Sequence, residues 1–159
     1  MPETVEGGVS ARGFRFAIVV SRYNTFITDQ LLSEALEALK TAGAAESDVA
    51  VFRVPGSFEL PQAARKLLQC EPYDAVICLG ALLRGETFHF ELISTECARG
   101  LQSVARQFGV PVTFGVITAN TMEQAQQRAG VKSENKGWEA AMAAIEMVNL
   151  YKHIVDRSR

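Results

Sequence analysis

The sequence predicts one α/β domain in which a mainly parallel four-stranded sheet is covered by helices on both faces, a three-layer sandwich. Short apolar segments rich in β-branched residues alternate along the chain with longer segments that carry apolar residues at helical spacing. The 159 residues suffice for one domain with a single core. No internal repeat, low-complexity segment or linker divides the chain, so we expect residues 1–159 to form one unit with residues 1–13 as an extended N-terminal arm.

The first half of the chain is predicted to hold two strands, each followed by a helix. Thr28 is the expected N-cap of the first helix and Gly43 its stop, because hydroxyl side chains cap helix starts and glycine ends helices. Pro55 and Gly56 form the turn that ends the second strand, and Pro61 is tolerated only in the first turn of the second helix. The predicted ranges are strand 14–21, helix 29–43, strand 48–54 and helix 58–69.

The second half of the chain is predicted to hold two further strands and three helices. The last helix is rich in alanine and carries apolar residues on more than one face. A helix that is apolar most of the way round is buried on both sides, and the edges of a small sheet need covering. We therefore expect a homo-oligomer. The predicted ranges are strand 74–83, helix 90–108, strand 110–118, helix 121–130 and helix 138–154.

Composition argues against several classes of partner. The net charge is −2 and no basic run occurs, so there is no electrostatic reason to bind nucleic acid or an anionic membrane. No apolar stretch approaches the about 20 residues that span a bilayer, and no secretory signal is visible at the N-terminus. The widely spaced Cys70, Cys78 and Cys97 are expected to be reduced thiols of a cytoplasmic protein. We expect no metal site built from cysteine and histidine.

Polar and aromatic side chains follow every predicted strand. In open parallel sheets, ligands bind outside the carboxyl ends of the strands, so these side chains are expected to meet at one edge of the sheet. They are Tyr23 and Asn24 after the first strand, Ser57, Phe58 and Glu59 after the second, the heptad RGETFHF at 84–90 after the third, and residues 118–121 after the fourth.

His89 stands just past Gly85, where the third strand ends and a helix begins. The positive end of the helix dipole disfavours imidazolium, and a neutral imidazole can accept a proton and then return it. The backbone N–H groups of residues 85–87 and the Thr87 hydroxyl form a candidate anion site at the same helix end. The pattern predicts a small-molecule site for an aromatic ring and an anion, and it names no ligand.

Each of these residues also has a plain structural interpretation. His89, taken alone, is more typical of a surface or helix-capping residue, and Thr87 fits a plain N-cap as well as an anion site. Tyr23 and Phe114 fit the edge or the interior of the core. Ser57 and Glu59 fit the N-terminus of the next helix, while Arg128 and Lys136 fit solvated surface charges. These alternatives remain open on local pattern alone.

Five segments of the chain resemble the 6,7-dimethyl-8-ribityllumazine synthases, a family that carries out the penultimate step of riboflavin biosynthesis. The segments occur in family order and spacing over nearly all of residues 15–150, and the VPGSFE turn and the RGxTxHF heptad are the most specific. The resemblance implies a flavodoxin-like fold. The segments are SRYNTFITDQLLSEAL, RVPGSFELP, YDAVICLGALLRGETFHFE, PVTFGVITANTMEQAQQRAG and NKGWEAAMAAIEMVNL.

The resemblance also implies roles for individual positions. His89 would transfer protons, and Arg128 would bind phosphate with Lys136 nearby. Phe114 would form the far wall of the pocket and, like Arg128, come from the neighbouring subunit of a pentamer. The other implied contacts are Tyr23, stacked on the pyrimidinedione; Ser57, Phe58 and Glu59, at the ribityl chain and ring; Ala81, Leu82 and Leu83, at the pyrimidine edge; and Glu86 and Thr87, at the phosphate.

The family joins 5-amino-6-(D-ribitylamino)uracil to 3,4-dihydroxy-2-butanone 4-phosphate without a metal or organic cofactor. Tyr23 stands where members usually have Phe or Trp, Asn120 stands where Asp is common, and Glu91 takes the place of an Asp. The turn at 130–135 differs from the turn typical of members that close into sixty-subunit shells. The chain also lacks the longer insertion that some members forming only pentamers or decamers carry at this turn. The resemblance thus implies a pentamer, favours a shell of twelve pentamers, and suggests association with riboflavin synthase.

Two functions from other classes compete with an enzyme. One is a flavin- or lumazine-binding module without turnover, because this fold hosts many binders. Such a binder of an unphosphorylated ligand would need neither Arg128 nor His89. The other is a structural cage protein, which would not need Tyr23, Ser57 and Glu59 at one end of the sheet.

Overall fold

The computed structural model describes residues 1–130 and 134–159. Its strands and helices alternate along the chain as the sequence predicts, and the observed ends differ from the predicted ones by a few residues at most. Short 3-10 helices precede β2 and α2, at Glu46–Asp48 and Ser57–Glu59. The elements are β1 (Phe16–Ser21), α1 (Thr25–Thr41), β2 (Val49–Val54), α2 (Leu60–Cys70), β3 (Ala75–Leu83), α3 (His89–Phe108), β4 (Val112–Ala119), α4 (Met122–Gly130) and α5 (Lys136–Arg157).

The four strands form one all-parallel sheet in the order β2-β1-β3-β4. Successive residues of a strand face opposite sides, so Ile18 and Val20 of β1 join one apolar core while Ala17 and Val19 join the other. Helices α1, α4 and α5 cover the first face, and α2 and α3 cover the second. The predicted α/β three-layer sandwich, consistent with a flavodoxin-like fold, is confirmed.

Helices α1 and α5 cross with their backbones in contact. A methyl group on Gly137 would lie 2.0 Å from the carbonyl oxygen of Leu31, so only glycine permits this approach. The buried Asn135 caps α5: its Oδ1 accepts hydrogen bonds from the N–H groups of Gly137 and Trp138, at 2.8 and 3.1 Å. Its Nδ2 donates to the carbonyl of Ala129 at 2.7 Å and thereby ties the end of α4 to the start of α5.

The predicted N-cap of the first helix is wrong. Helix α1 begins at Thr25, and its N-cap is Asn24, which adopts a left-handed conformation with φ 62°. Asparagine tolerates this region better than most residues, and it lets the chain turn from β1 straight into α1. Thr28 lies buried one turn inside the helix. The predicted stop holds, because α1 ends at Thr41 and Gly43 follows with φ 100°.

The N-terminal arm, residues 1–13, contains no helix or strand and lies along α5. Glu3 forms an ion pair with Arg157 at 2.6 Å, and the Asn149 amide donates to the carbonyl of Ser10 at 2.8 Å. Gly7 packs so closely that a methyl group there would collide with the Glu146 carbonyl. The arm therefore covers one side of the last helix, whose other side faces the core.

The cysteines differ in environment. Cys78 in β3 and Cys97 in α3 are buried, Cys70 is exposed, and all three are free thiols. Burial raises the pKa of Cys97 to about 11 and raises the pKa of Cys78 still further, with the neighbouring Cys97 adding to the rise. No helix within residues 1–130 and 134–159 is long and apolar enough to cross a membrane.

We expect one thiol per chain to react with a chromogenic disulfide reagent at pH 8 in the native protein, and all three after denaturation. The reactive species is the thiolate, and the raised pKa values keep the buried thiols protonated. The native state holds the thiol protons more tightly than the unfolded chain does. The buried thiols therefore contribute fully to the free energy of unfolding below the ordinary thiol pKa, and the contribution of Cys97 falls as the pH rises towards 11. Cys70→Ser should abolish the native reaction, and residual reaction would contradict this assignment.

Candidate active site at the carboxyl ends of the strands

A cleft of about 740 Å³ opens at the carboxyl ends of β1, β2 and β3, a volume typical of small-molecule sites. Its wall combines apolar side chains with a few polar groups. Many of the predicted site residues meet there, as the convergence of parallel strands requires. They are Tyr23, Ser57, Phe58, Glu59, Leu82, Leu83 and His89.

The aromatic side of the cleft is held by backbone hydrogen bonds between two strand exits. The N–H of Tyr23 donates to the carbonyl of Pro55 at 3.1 Å, and the N–H of Arg22 donates to that of Val54 at 2.8 Å. This fixes the turn after β1 against the turn after β2. The Tyr23 side chain is 66% exposed and presents its ring to the cleft, and such a ring can stack on a planar ligand.

Two buried serine hydroxyls lie beside Gly80, and one of them belongs to Ser57, which lines the cleft. Neither Ser57 Oγ nor Ser21 Oγ has a hydrogen-bond partner among the described residues. A methyl group on Gly80 would lie 2.5 Å from Ser57 Oγ and 3.2 Å from Ser21 Oγ, so glycine leaves room for both. An unpaired buried hydroxyl costs stability, and both Oγ atoms are closed to solvent in the single chain.

The start of α3 forms the opposite wall. His89 is the first residue of the helix, its side chain is exposed in the single chain, and it borders the cleft. Its backbone N–H donates to Thr87 Oγ1 at 3.3 Å, so the Thr87 hydroxyl satisfies the first N–H of the helix, whose N-cap residue is Phe88. Glu86 and Thr87 are exposed and lie just outside the cleft wall. The loop is thus open to an anion at the positive end of a 20-residue helix.

The side chain of Ala81 is buried in β3, so this residue contributes only its backbone to the floor of the cleft. Its carbonyl oxygen accepts a hydrogen bond from Asn24 Nδ2 at 3.3 Å. Asn24 therefore joins the start of α1 to the strand that forms the floor of the cleft. The next residue, Leu82, lines the cleft itself.

Three predicted residues lie outside the cleft of their own chain. Phe114 is in the edge strand β4, opposite Cys78, and its side chain is 44% exposed rather than in the core. Arg128 in α4 donates from Nη1 to the carbonyl of Thr118 at 2.8 Å. Lys136 opens α5 and forms an ion pair with Glu139 at 3.1 Å. Within one chain, none of the three lines the cleft that His89 borders.

The structure adds residues that the sequence did not single out. Ser21 belongs to the polar residues expected at the exit of the first strand, and its hydroxyl, like that of Ser57, borders Gly80. Four of the remaining lining residues fall within the segments that resemble the family, whereas Leu92 and Ile93 follow them in α3. Among the described residues, no group of three or more His, Cys, Asp or Glu could hold a metal ion. The added lining residues are Pro55, Gly56, Gly85, Phe90, Leu92 and Ile93.

Comparison with known proteins gives a consistent result. The family model described as 6,7-dimethyl-8-ribityllumazine synthase matches residues 13–152. The chain is similar to the 6,7-dimethyl-8-ribityllumazine synthase of Syntrophus aciditrophicus (strain SB), with 52% identity over 154 residues that cover 97% of this chain and all of the relative. It is also similar to the enzyme of the same name from Desulfatibacillum aliphaticivorans, with 51% identity over 150 residues, 94% of this chain and 97% of the relative.

We expect Ser57→Ala to leave the free energy of unfolding of the ligand-free protein within about 0.5 kcal/mol of the parent, because the lost hydroxyl has no partner to abandon. Asn135→Ala is the matched comparison, since this buried side chain makes three hydrogen bonds. It should cost about 2 kcal/mol or more. Urea unfolding at one fixed protein concentration measures both. A loss in Ser57→Ala as large as that in Asn135→Ala would show that the serine hydroxyl is paired.

Proposed function

The chain belongs to the 6,7-dimethyl-8-ribityllumazine synthase family, and we propose that the cleft beside His89 is its active site. As a member of this family it is a transferase that condenses 5-amino-6-(D-ribitylamino)uracil with 3,4-dihydroxy-2-butanone 4-phosphate. The products are 6,7-dimethyl-8-ribityllumazine, phosphate and water, and the step is the penultimate one of riboflavin biosynthesis. The observation that carries the proposed site is the meeting of Tyr23, Ser57, Glu59 and His89 around one cleft.

We assign the pyrimidine to the side of the cleft formed by β1, β2 and β3. Tyr23 offers an aromatic face on which the pyrimidinedione stacks. Ser57, Phe58 and Glu59 line the cleft and contact the ribityl chain and the ring. The backbone of residues 81–83 reads the pyrimidine edge.

We assign the phosphate to the start of α3. Backbone N–H groups at Glu86 and Thr87 face it, while the Glu86 carboxylate points to solvent. The Thr87 hydroxyl accepts from the His89 N–H, but a hydroxyl also donates, so its O–H remains available to a phosphate oxygen. The positive end of the helix dipole and the Arg128 guanidinium compensate the negative charge of the phosphate.

The site is completed by a second copy of the chain. Phe114, Arg128 and Lys136 lie outside their own cleft, and we propose that a neighbouring subunit of a pentamer supplies Phe114 and Arg128. Exposed aromatic side chains at 26 and 88, near the exits of β1 and β3, support an interface there. In this arrangement Phe114 forms the far wall of the pocket.

The reaction uses His89 as a proton shuttle. The 5-amino group attacks the ketone, and loss of water gives an imine; His89 accepts and returns the protons involved. Phosphate then leaves from the cradle formed by Thr87 and Arg128, where the hydroxyl donates a hydrogen bond and the guanidinium charge stabilises the departing dianion. Ring closure releases a second water. Much of the rate comes from holding two reactants in line.

The proposal for assembly beyond the pentamer is based on the sequence of the turn at 130–135. We propose a shell of twelve pentamers, with a pentamer or decamer as the alternatives, and solution mass distinguishes the three. Residues 131–133 of the turn at 130–135 lie outside the residues that the structure describes. Association with riboflavin synthase is a further proposal. The three free thiols support a cytoplasmic location, because disulfides are rare there.

Arg128→Ala should raise the KM for the butanone phosphate by roughly tenfold or more while changing the KM for the pyrimidine less than about twofold, because only one substrate carries a phosphate. Lumazine absorbance or fluorescence, corrected for the spontaneous reaction, measures both constants. Arg99→Ala is the control, since this arginine is 76% exposed and forms an ion pair with Glu96 of its own helix. Equal losses for the two substrates would contradict the assigned role of Arg128.

Co-expression of His89→Ala and Arg128→Ala chains tests the shared site. If Arg128 acts on the neighbouring cleft, about a quarter of the sites in randomly mixed pentamers combine an intact His89 with an intact Arg128. Those sites should work at the parent rate, so the mixture should exceed the mean of the two variants. If both residues served the same chain's cleft, no mixed site would be intact. Activity equal to that mean would reject the shared site.

A further inference from the structure

Arg84 opens the heptad RGETFHF, and the roles proposed above do not use it. It follows β3 directly, and its backbone N–H donates to the carbonyl of Ala119 at 2.8 Å. Its Nε donates to Asn120 Oδ1 at 2.8 Å, and its Nη1 forms a short ion pair with Glu91. The guanidinium also lies over the ring of Phe90, with Cζ 4.9 Å from the ring centroid.

These contacts join two elements. Phe90 and Glu91 are the second and third residues of α3, immediately after His89, whereas Ala119 and Asn120 form the exit of β4. The guanidinium therefore holds the first turn of α3 against the end of β4. Because Phe90 lines the cleft, the same contact also fixes part of the cleft wall.

The exit of β4 is itself well supported. Arg128 Nη1 donates to the carbonyl of Thr118 at 2.8 Å, and the Asn120 N–H donates to Gln124 Oε1 at 2.8 Å. Residues 118–120 thus take hydrogen bonds from Arg84 on one side and Arg128 on the other. The strand end is a fixed point from which Arg84 can align α3.

Arginine is the residue type that this geometry requires. Its planar fork donates to Asn120 and to Glu91 at the same time while its face covers an aromatic ring. A lysine ammonium could satisfy one acceptor well, but not all three contacts. The side chain of Arg84 is occupied by these partners and is absent from the wall of the described cleft, so the contacts do not support a role as a phosphate ligand.

We propose that Arg84 is a positioning residue for the reaction: it fixes the imidazole of His89 by holding the first turn of α3 against the exit of β4. The proposal rests on the assignment of proton transfer to His89. An ion pair between half-exposed side chains adds little stability. A small displacement of a group that transfers protons is costly to the rate, however, because the reaction depends on alignment.

The first test compares Arg84→Met with Arg99→Met, which removes a solvent-facing arginine from α3. In Arg84→Met, kcat should fall by roughly three- to tenfold while the KM values of both substrates stay within about twofold. Arg84→Lys should recover part of the loss, and Arg99→Met should behave as the parent. A large rise in KM for the butanone phosphate with kcat unchanged would make Arg84 a phosphate ligand and overturn the proposal.

The second test repeats Arg84→Met in the His89→Ala background. A residue that acts through His89 has little left to disturb there, so kcat should fall less than about twofold further. An equal fall in both backgrounds would overturn the proposal and leave the role of His89 standing. If His89→Ala itself turned over at the parent rate, the assignment of His89 would fail, and the proposal with it.

Thermal unfolding of every variant checks that the fold survives. If Arg84→Met does not fold, Glu91→Ala and Asn120→Ala are used in its place in both tests. Each of these variants removes one hydrogen-bond partner of the Arg84 guanidinium. Each should lower kcat in the parent background and have little effect in the His89→Ala background. Additive losses in these variants would overturn the proposal in the same way.

Discussion

The parallel pairing of β1 with β3 determines where everything else in this molecule lies. Their register aligns Phe16 with Ala75 and Val20 with Leu79. Because β3 has nine residues and β1 has six, the last residues of β3 extend beyond the exit of β1. These residues form the floor of the cleft, and the turns after β1 and β2 lie along its side. The cleft exists because the inner strands have unequal lengths, and its contents follow from the turns that border it.

Much of this arrangement could be predicted from the sequence. Alternation of apolar runs with helical periodicity gave the element order, and parallel pairing follows because each strand is separated from the next by a helix. Tyr23, Ser57, Glu59 and His89 line the cleft because each follows a strand. The start of α1 was misassigned because Asn24, Thr25 and Thr28 can all cap a helix. Only the left-handed backbone at Asn24 decides between them.

Other features could not be predicted from local pattern. The Ser21 hydroxyl matters only because Gly80, on the neighbouring strand, leaves space beside it, and that requires the sheet register. The contacts of Arg84 join segments 36 residues apart. Phe114 fitted a core strand, yet β4 is at the edge of the sheet and the ring is exposed. What such a residue faces in an assembly is a property of two chains, and no spacing within one chain records it.

The contact between the arm and α5 has a consequence for engineering. The ion pair between Glu3 and Arg157 holds the first and last few residues of the chain side by side. A short flexible linker could therefore join the two ends, and new termini could be opened in an exposed turn elsewhere. Peptides fused at either end would emerge from the same patch of surface. Cargo attached to one terminus would thus crowd a tag attached to the other.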